Sequence, residues 1–456
     1  MKQVDAAVIG FGKGGKTLAG ALASAGKTVV LVEQSPKMYG GTCINVACIP
    51  TKSLVSSAAL SAAQGGAFAE RAARYAAAVD EKDRLTGMLR DKNYRKLADL
   101  PNVQVMDGTA SFADATHLTV RTPDGGKETV EAAQVFVNTG ARPFVPPIPG
   151  ADGPRVFVSE TLLDVRELPE RLVIIGGGYI GMEFASMYAN FGSQVVVVQN
   201  EDAFLPREDA EIAAAVLASL EERGVRVMLG ADVRSIEDDA ERAVVVVETS
   251  GSEKLLPADA VLVATGRRPN VAELNLEAAG VELTERGAVR TDEHLRTTAP
   301  NVWALGDVAG GLQFTYISLD DSRIVKSAVL GDGARTTENR GAVPYSVFLD
   351  PPFSRVGMTE QEARDAGFNV KAAKLPAAAV PKAQLLQKPT GLLKAVVDAD
   401  TDHILGAHLF CEESHEMVNT VKLAMDAGLP YQTLRDAVYT HPTMSEAFND
   451  LFATVA

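Results

Sequence analysis

Two glycine-rich turns, placed alike in two copies of one local plan, constrain this 456-residue chain more than any other feature. Gly10, Gly12 and Gly15 follow the apolar run Val4 to Ile9 and open a helix-prone segment from Lys16 to Ala25. Thr28 to Val32 then reads as a strand ending in Glu33. Gly176, Gly178 and Gly181 follow the strand-like RLVII, again open a helix, and SQVVVVQ supplies the next strand, ending at Gln199. A glycine cluster alone makes plain helix-start turns. A strand before it and a helix after it create a place where backbone can approach a pyrophosphate and a helix amino terminus can bind it. Two such loops imply two dinucleotides.

The rest of the chain fits around this duplication. VFVNTGARP, Val135 to Pro143, is echoed by AVLVATGRRPN, Ala260 to Asn270, as though each unit closed on a matching strand. Ser53 to about Leu100 is an alanine-rich helical excursion, expected to break at Gly65, Gly66 and Gly87. Alternating segments from Val103 to Val137 predict a small antiparallel sheet. The proline-rich Ala141 to Gly150 is the linker candidate, NVWALGD gives a further strand, and mixed strands and helices follow Tyr345. The fold class is therefore α/β, with two Rossmann-like nucleotide-binding domains.

A net charge of −15 argues against nucleic acid or an anionic membrane as partner, both of which require a positive patch. No leader is expected before Val4, and no run of 18 uninterrupted apolar residues predicts a membrane span, so the expected location is the cytoplasm. Three cysteines, Cys43, Cys48 and Cys411, are too few for a stapled secreted fold. Glu33 stands where an acidic residue normally accepts hydrogen bonds from an adenosine ribose. The second unit has Gln199 there, with no arginine before Arg207 to clamp a 2′-phosphate, which favours NADH over NADPH.

GGTCINVACIPTKSL, Gly40 to Leu54, carries the chemistry. In an ideal helix, residues five apart have Cα atoms roughly 8 to 9 Å distant, beyond the reach of a disulfide. Cys43 and Cys48 can bridge only across a distorted helix start, where the helix dipole would also lower a thiol pKa. Metal binding would need further ligands that the neighbouring sequence lacks, and two incidental buried thiols are the plainer alternative. Thr443 to Glu446 form a T-x-x-E capping box, so Glu446 can simply cap a helix, and His441 can be a core histidine. Phe314 and Tyr316 read as core aromatics, His415 and Cys411 as structural.

Together GFGKGG, Glu33, GGTCINVACIPTK, VNTGARP, GGGYIGMEFA, ATGRRPN, ALGD and HPTMSE resemble the pyridine nucleotide-disulfide oxidoreductase family across essentially the whole chain. FLPRED at Phe204 to Asp209 and GLQFTYISLDD at Gly311 to Asp321 resemble its reactive-chlorine-resistance branch, with hypothiocyanous acid and copper(II) as suggested substrates. The resemblance implies an FAD-binding domain in two parts (1–150 and 271–340), an NAD(P)H-binding domain (151–270) and a carboxy-terminal α+β dimerisation domain (341–456). It implies FAD contacts at Thr42, Lys52, Thr139, Gly140, Gly266, Gly306 and Asp307, a Lys52–Glu183 pair beside the flavin, and, against the core reading, Phe314 and Tyr316 at the mouth near it. Cys48 would face the flavin, and Cys43 would be the interchange thiol. His441, oriented by Glu446, would come from the partner subunit of a homodimer and move the proton.

Two departures from the family pattern stand out. Ala47 occupies a usual glycine position, and the LFATVA terminus has no cysteine pair, against mercuric reductase and large thioredoxin reductases. Lipoamide dehydrogenase is the alternative within the family; a flavin-binding structural or signalling protein with inert cysteines is the alternative outside it.

Overall fold

In the computed structural model, residues 1–239 and 241–455 are described. The chain divides into two compact units, each assembled from separate stretches. The first comprises residues 1–53, 78–144 and 266–340, the second 54–77, 145–265 and 341–456.

The first unit is built on a seven-stranded sheet. Its order is Val103–Asp107, Val29–Glu33, Lys2–Ile9, Lys127–Val137, His117–Arg121 and Thr109–Phe112, with Val302–Ala304 parallel to Lys127–Val137. Lys2–Ile9 lies between two parallel neighbours, Val8 pairing with Leu31 on one side and Phe136 on the other. Parallel strands covered on both faces read as unbroken apolar runs, and Val29–Glu33 is buried along its whole length. The expected small antiparallel sheet is corrected here. Its strands belong to this one mixed sheet, because Lys127–Val137 is long enough to pair antiparallel with His117–Arg121 and parallel with Lys2–Ile9. Ala141–Pro143 pairs antiparallel with Arg267–Pro269, so the two echoing segments of the duplication meet each other. The Arg268 guanidinium lies 3.6 Å from the Phe144 ring centre.

The helical excursion also differs from expectation. Helices run Cys48–Gln64 and Phe68–Ala98, and Gly87 sits inside the second rather than ending it. A single glycine costs about 1 kcal/mol in a helix, which a 31-residue helix tolerates. The stretch Thr42–Gln64 is long and apolar enough, by length and composition alone, to cross a membrane.

The second unit contains a parallel five-stranded sheet in the order Arg226–Met228, Gln194–Val198, Arg171–Ile175, Ala260–Val263 and Val156–Val158, repeating the doubly wound plan. A three-stranded meander, Ala231–Asp238, Ala243–Thr249 and Ser252–Ala258, packs Ile236, Val245 and Leu256 against it. The carboxy-terminal part is an antiparallel sheet, Tyr345–Val347, Phe353–Gly357, Ile404–Phe410, Leu392–Asp398 and Val370–Pro376, whose core includes Leu393, Leu409, Phe448 and Phe452.

Candidate active site

In the first unit, Gly10 ends its strand with φ +104°, and a Cβ there would lie 2.3 Å from the Asn138 carbonyl oxygen. Only glycine fits. The helix Lys13–Ser24 follows, its first turn held by Gly14 N–H to Ser318 Oγ (3.0 Å) and Gly15 N–H to Asn138 Oδ1 (2.8 Å). Phe11 N–H donates to Glu33 Oε2 at 2.9 Å, which fixes the strand-end carboxylate against the loop. Burial pushes the Glu33 carboxyl up to about 7, although backbone N–H groups from Phe11, Ser35 and Gln34 oppose the shift. On the far side of the loop, Gly306 N–H donates to Asp321 Oδ2 at 2.8 Å, and Arg340 pairs with Asp321 at 2.8 Å. This anchors the turn that carries Asp307, whose carboxyl is raised by burial against the favourable charge of Arg267.

The same unit brings the redox segment onto this loop. Gly41 has φ +79°, and a Cβ on it would stand 2.5 Å from Gly12 Cα, so the two backbones touch. Thr42 Oγ1 lies 4.0 Å from the Cβ position of Gly140, and Thr139 Oγ1 donates to the Asn270 carbonyl at 2.7 Å. The sequence-derived positions Gly10, Gly12, Gly15, Glu33, Thr42, Thr139, Gly140, Gly306 and Asp307 thus share one unit with the cysteines. A glycine cradle at a helix amino terminus, closed by touching backbones and flanked by buried carboxylates, fits a dinucleotide such as FAD.

Cys43 sits in the short helix Thr42–Asn45, and Cys48 begins the helix Cys48–Gln64. The helix breaks between them at Val46, φ −140°. Asn45 holds the break: its amide donates to the Tyr39 and Gly41 carbonyls at 3.0 and 2.9 Å and accepts from Arg90 Nε at 2.8 Å. Both cysteines are half-buried thiols, and Cys48 Sγ lies 3.3 Å from Thr315 Oγ1. The Cys43 thiol is raised far above its ordinary value, first by its hydrogen bond with Cys48, then by burial and by the Cys48 charge. The expectation that a helix start lowers the thiol pKa is therefore corrected for Cys43. Two adjacent thiols give up their protons in sequence, and a thiolate on Cys48 opposes the second ionisation.

Sequence reasoning missed two groups that act on the thiols. Thr315 touches Cys48, and its hydroxyl together with Lys16 opposes the upward shift of Cys43. Lys16 Nζ donates to the Gly40 carbonyl at 3.2 Å and to Asn93 Oδ1 at 2.7 Å. Burial, reinforced by Lys13, brings its pKa down to about 8. A lysine directly after the glycine loop was the available signal. Tyr316 is 43% exposed and stacks on Phe314 at 5.2 Å, so of the two readings of this aromatic pair the core one is corrected. They flank Thr315, the residue that touches Cys48, at the start of the helix Thr315–Leu330.

In the second unit, Gly176 has φ +109°, with its Cβ position 2.6 Å from the Ala264 carbonyl, and Gly178 caps the helix Tyr179–Phe191. A Cβ at Gly181 would fall 2.1 Å from the Gly176 carbonyl. Gly177 N–H donates to Gln199 Oε1 at 2.7 Å, the counterpart of the Phe11–Glu33 bond. Glu183 is buried rather than on a solvated helix face, and its Oε1 accepts the Phe348 N–H at 2.9 Å. Glu208 of the FLPRED segment receives the hydroxyls of Tyr179 and Tyr345, and Asp209 caps the helix Ala210–Glu222. The buried Lys394 ties that cap to the carboxy-terminal sheet through Asp209 (2.8 Å), Glu211 (2.7 Å) and Glu360 (2.8 Å).

His441 is an exposed side chain, and its Nδ1 lies 2.8 Å from Glu446 Oε2. Glu446 Oε1 also accepts the Thr443 N–H at 3.2 Å, and Glu446 N–H returns to Thr443 Oγ1 at 3.3 Å. The capping exchange and the histidine contact therefore coexist on one carboxylate. Cys411 is buried and its thiol raised by burial, and the His415 ring packs on Phe348 at 5.4 Å, both structural. Among the described residues, no group of three or more His, Cys, Asp or Glu side chains is placed to hold a metal ion.

Two nucleotide loops, a dithiol lodged against one of them and a separate carboxy-terminal α+β part define a flavoprotein disulfide reductase. The chain belongs to the pyridine nucleotide-disulphide oxidoreductase family: residues 4–322 match that family and residues 343–452 its dimerisation domain. It is 49% identical over the full length of both chains to the probable pyridine nucleotide-disulfide oxidoreductase RclA of Escherichia coli. The solved structure described as the HOCl-induced flavoprotein disulfide reductase RclA superposes with a TM-score of 0.92, covering 99% of this chain and 100% of that one. A dihydrolipoyl dehydrogenase of Mycobacterium tuberculosis is 34% identical, covering 99% of this chain and 98% of the relative. The protein is accordingly an oxidoreductase that uses FAD and a pyridine nucleotide.

Proposed function

We propose that this enzyme uses NADH to reduce a small electrophilic oxidant at the Cys43–Cys48 pair, hypothiocyanous acid or a related reactive-chlorine product, or copper(II). The observation that carries the proposal is the dithiol itself. The helix is broken so that the two sulfurs meet, and Thr315 supports one of them. FAD, when bound, supplies the two-electron link between the nicotinamide and the disulfide.

Gly10, Gly12 and Gly15 would receive its pyrophosphate, Glu33 its adenosine ribose, and Thr42, Lys52, Thr139, Gly140, Gly266, Gly306 and Asp307 the remainder. Gly176, Gly178, Gly181 and Gln199 would hold the coenzyme, and Glu183 would act with Lys52 beside the reacting groups. By the family resemblance, Cys48 is the thiolate that rests inside and Cys43 is the sulfur that meets the oxidant. For hypothiocyanous acid, Cys43 sulfur bonds the electrophilic sulfur and hydroxide departs, taking up a proton as water. Cys48 thiolate then attacks Cys43 sulfur, thiocyanate leaves, and the disulfide that forms holds the two electrons' worth of oxidation.

His441, oriented by Glu446, would supply and recover the proton for the pair of a second copy. An exposed imidazole with a bound carboxylate suits donation across an interface, and the fully exposed apolar Val438 three residues earlier is a side chain that such an interface would cover. We therefore read the working unit as a homodimer. We read the domains as FAD-binding over 1–150 and 271–340, NAD(P)H-binding over 151–270 and dimerising over 341–456, in the cytoplasm, where thiols stay reduced.

Reductive titration tests the core of this reading. Uptake of four electrons per FAD is expected, two of them lost in Cys43→Ser and Cys48→Ser, together with NADH-driven turnover of hypothiocyanous acid. Full turnover in both variants would refute it. Faster turnover of dihydrolipoamide with NAD would move the enzyme to the lipoamide dehydrogenases.

A further inference from the structure

The two nucleotide loops solve the same problem with different chemistry. In the first unit, Glu33 accepts the loop N–H of Phe11 at 2.9 Å and, as a carboxylate, keeps acceptor capacity for ribose hydroxyls. In the second unit, Gln199 makes the equivalent bond through Oε1, accepting Gly177 N–H at 2.7 Å. What Gln199 has in place of the second carboxylate oxygen is an amide nitrogen, a donor that cannot accept. That nitrogen donates to Glu201 Oε2 at 3.0 Å. The Glu201 carbonyl accepts Gly230 N–H at 3.0 Å, so backbone and side chain are both fixed while the carboxylate stays exposed. Asp202 adds a second acid to the turn, with its Oδ1 2.5 Å from the Cβ position of Gly230.

We propose that Glu201, positioned by Gln199, is the residue that selects the coenzyme: its carboxylate accepts the adenosine ribose hydroxyls of NADH and repels the 2′-phosphate of NADPH. The inference rests on the NADH reading above and assigns the residue responsible for it. The end of the second strand is where a doubly wound fold places the adenosine ribose. A glutamine there is indifferent, since an amide N–H serves a phosphate as well as a hydroxyl. A carboxylate is not, because it can only accept, and a phosphate at neutral pH brings like charge and few protons. Gln199 therefore works as a bracket that carries the acid two residues further along the chain.

Calorimetric titration of the FAD-loaded enzyme with ADP-ribose and with its 2′-phosphate tests this without any turnover. Wild type should bind ADP-ribose more tightly, and the ratio should narrow as salt screens the repulsion. Glu201→Gln should shrink the ratio by about tenfold, equivalent to about 1.4 kcal/mol, chiefly through tighter binding of the phosphorylated ligand. Glu201→Arg should invert it. A wild-type preference for ADP-ribose that survives Glu201→Gln unchanged would overturn the role of Glu201 and leave the NADH reading standing. A wild-type preference for the 2′-phosphate would overturn both. The salt series needs no variant, so a ratio insensitive to salt counts against Glu201 even where a substituted protein fails to fold.

Discussion

Thr315→Val removes one hydroxyl and keeps the side-chain shape, which makes it a clean probe of the thiol pair. The Thr315 oxygen lies 3.3 Å from Cys48 Sγ, within range for an O–H···S contact. When Cys48 is a thiolate the hydroxyl donates to it, and hydrogen bonds to charged groups contribute about 1.5–3 kcal/mol. At 1.36 kcal/mol per pKa unit, full loss would raise the first thiol pKa by about 1 to 2 units. Cys48 is only half-buried and water can replace part of the bond, so about one unit is the expected rise. The sign follows from the form that is stabilised: a donor to the anion lowers the pKa, and removing it raises the pKa. The assay is the ultraviolet thiolate absorbance of the reduced enzyme against pH, with Thr315→Ser as the control that restores the donor. An unchanged midpoint in Thr315→Val, or an equal shift in Thr315→Ser, would show that the hydroxyl does not support the thiolate.

In a Cys48→Ser background, Lys16→Met should slow alkylation of Cys43 by about three- to tenfold at neutral pH, since the Lys16 cation favours ionisation of that thiol. Because Lys16 itself titrates near 8, the difference between the two proteins should fade above that pH. Glu33 is raised to about 7 in the folded chain, above its ordinary value of 4.5, so folding of the FAD-free protein should lose stability as pH rises from 4.5 to about 7. Glu33→Gln should remove that slope, of about 3 kcal/mol in total, in denaturant melts across the range. FAD affinity, in contrast, should strengthen through the same interval as the carboxylate becomes an acceptor. Gly181→Ala would place a methyl 2.1 Å from the Gly176 carbonyl; coenzyme binding should be lost with FAD retained, checked by flavin absorbance and nucleotide titration.

The chain's order of strands, glycines and helices was sufficient to expect two nucleotide-binding units, because strand–turn–helix is local: within each unit the apolar run, its φ-positive glycine (Gly10 or Gly176) and the following helix are consecutive in the chain. The cysteine spacing likewise made a break in the helix the condition for the two sulfurs to meet, because an unbroken helix holds residues five apart beyond disulfide reach. What local pattern could not carry was the partner of each element. Lys127–Val137 is a single strand shared by parallel and antiparallel neighbours, and the echoing segments Ala141–Pro143 and Arg267–Pro269 pair with each other across more than 120 residues of sequence. The contact of Thr315 with Cys48 spans 267 positions, and the clasp of Gly14 by Ser318 spans 304.

Electrostatics followed the same division. Residue type and spacing singled out Cys43 and Cys48 as a possible pair, and the family resemblance is what proposed them as the reacting sulfurs. That the Cys43 thiol is raised by its hydrogen bond with Cys48, how far Glu33 is raised and where the acid beside Gln199 points were decided by tertiary structure alone. Each depends on how much water is excluded and on which charges the fold brings within a few ångströms, and neither quantity is encoded in neighbouring residues.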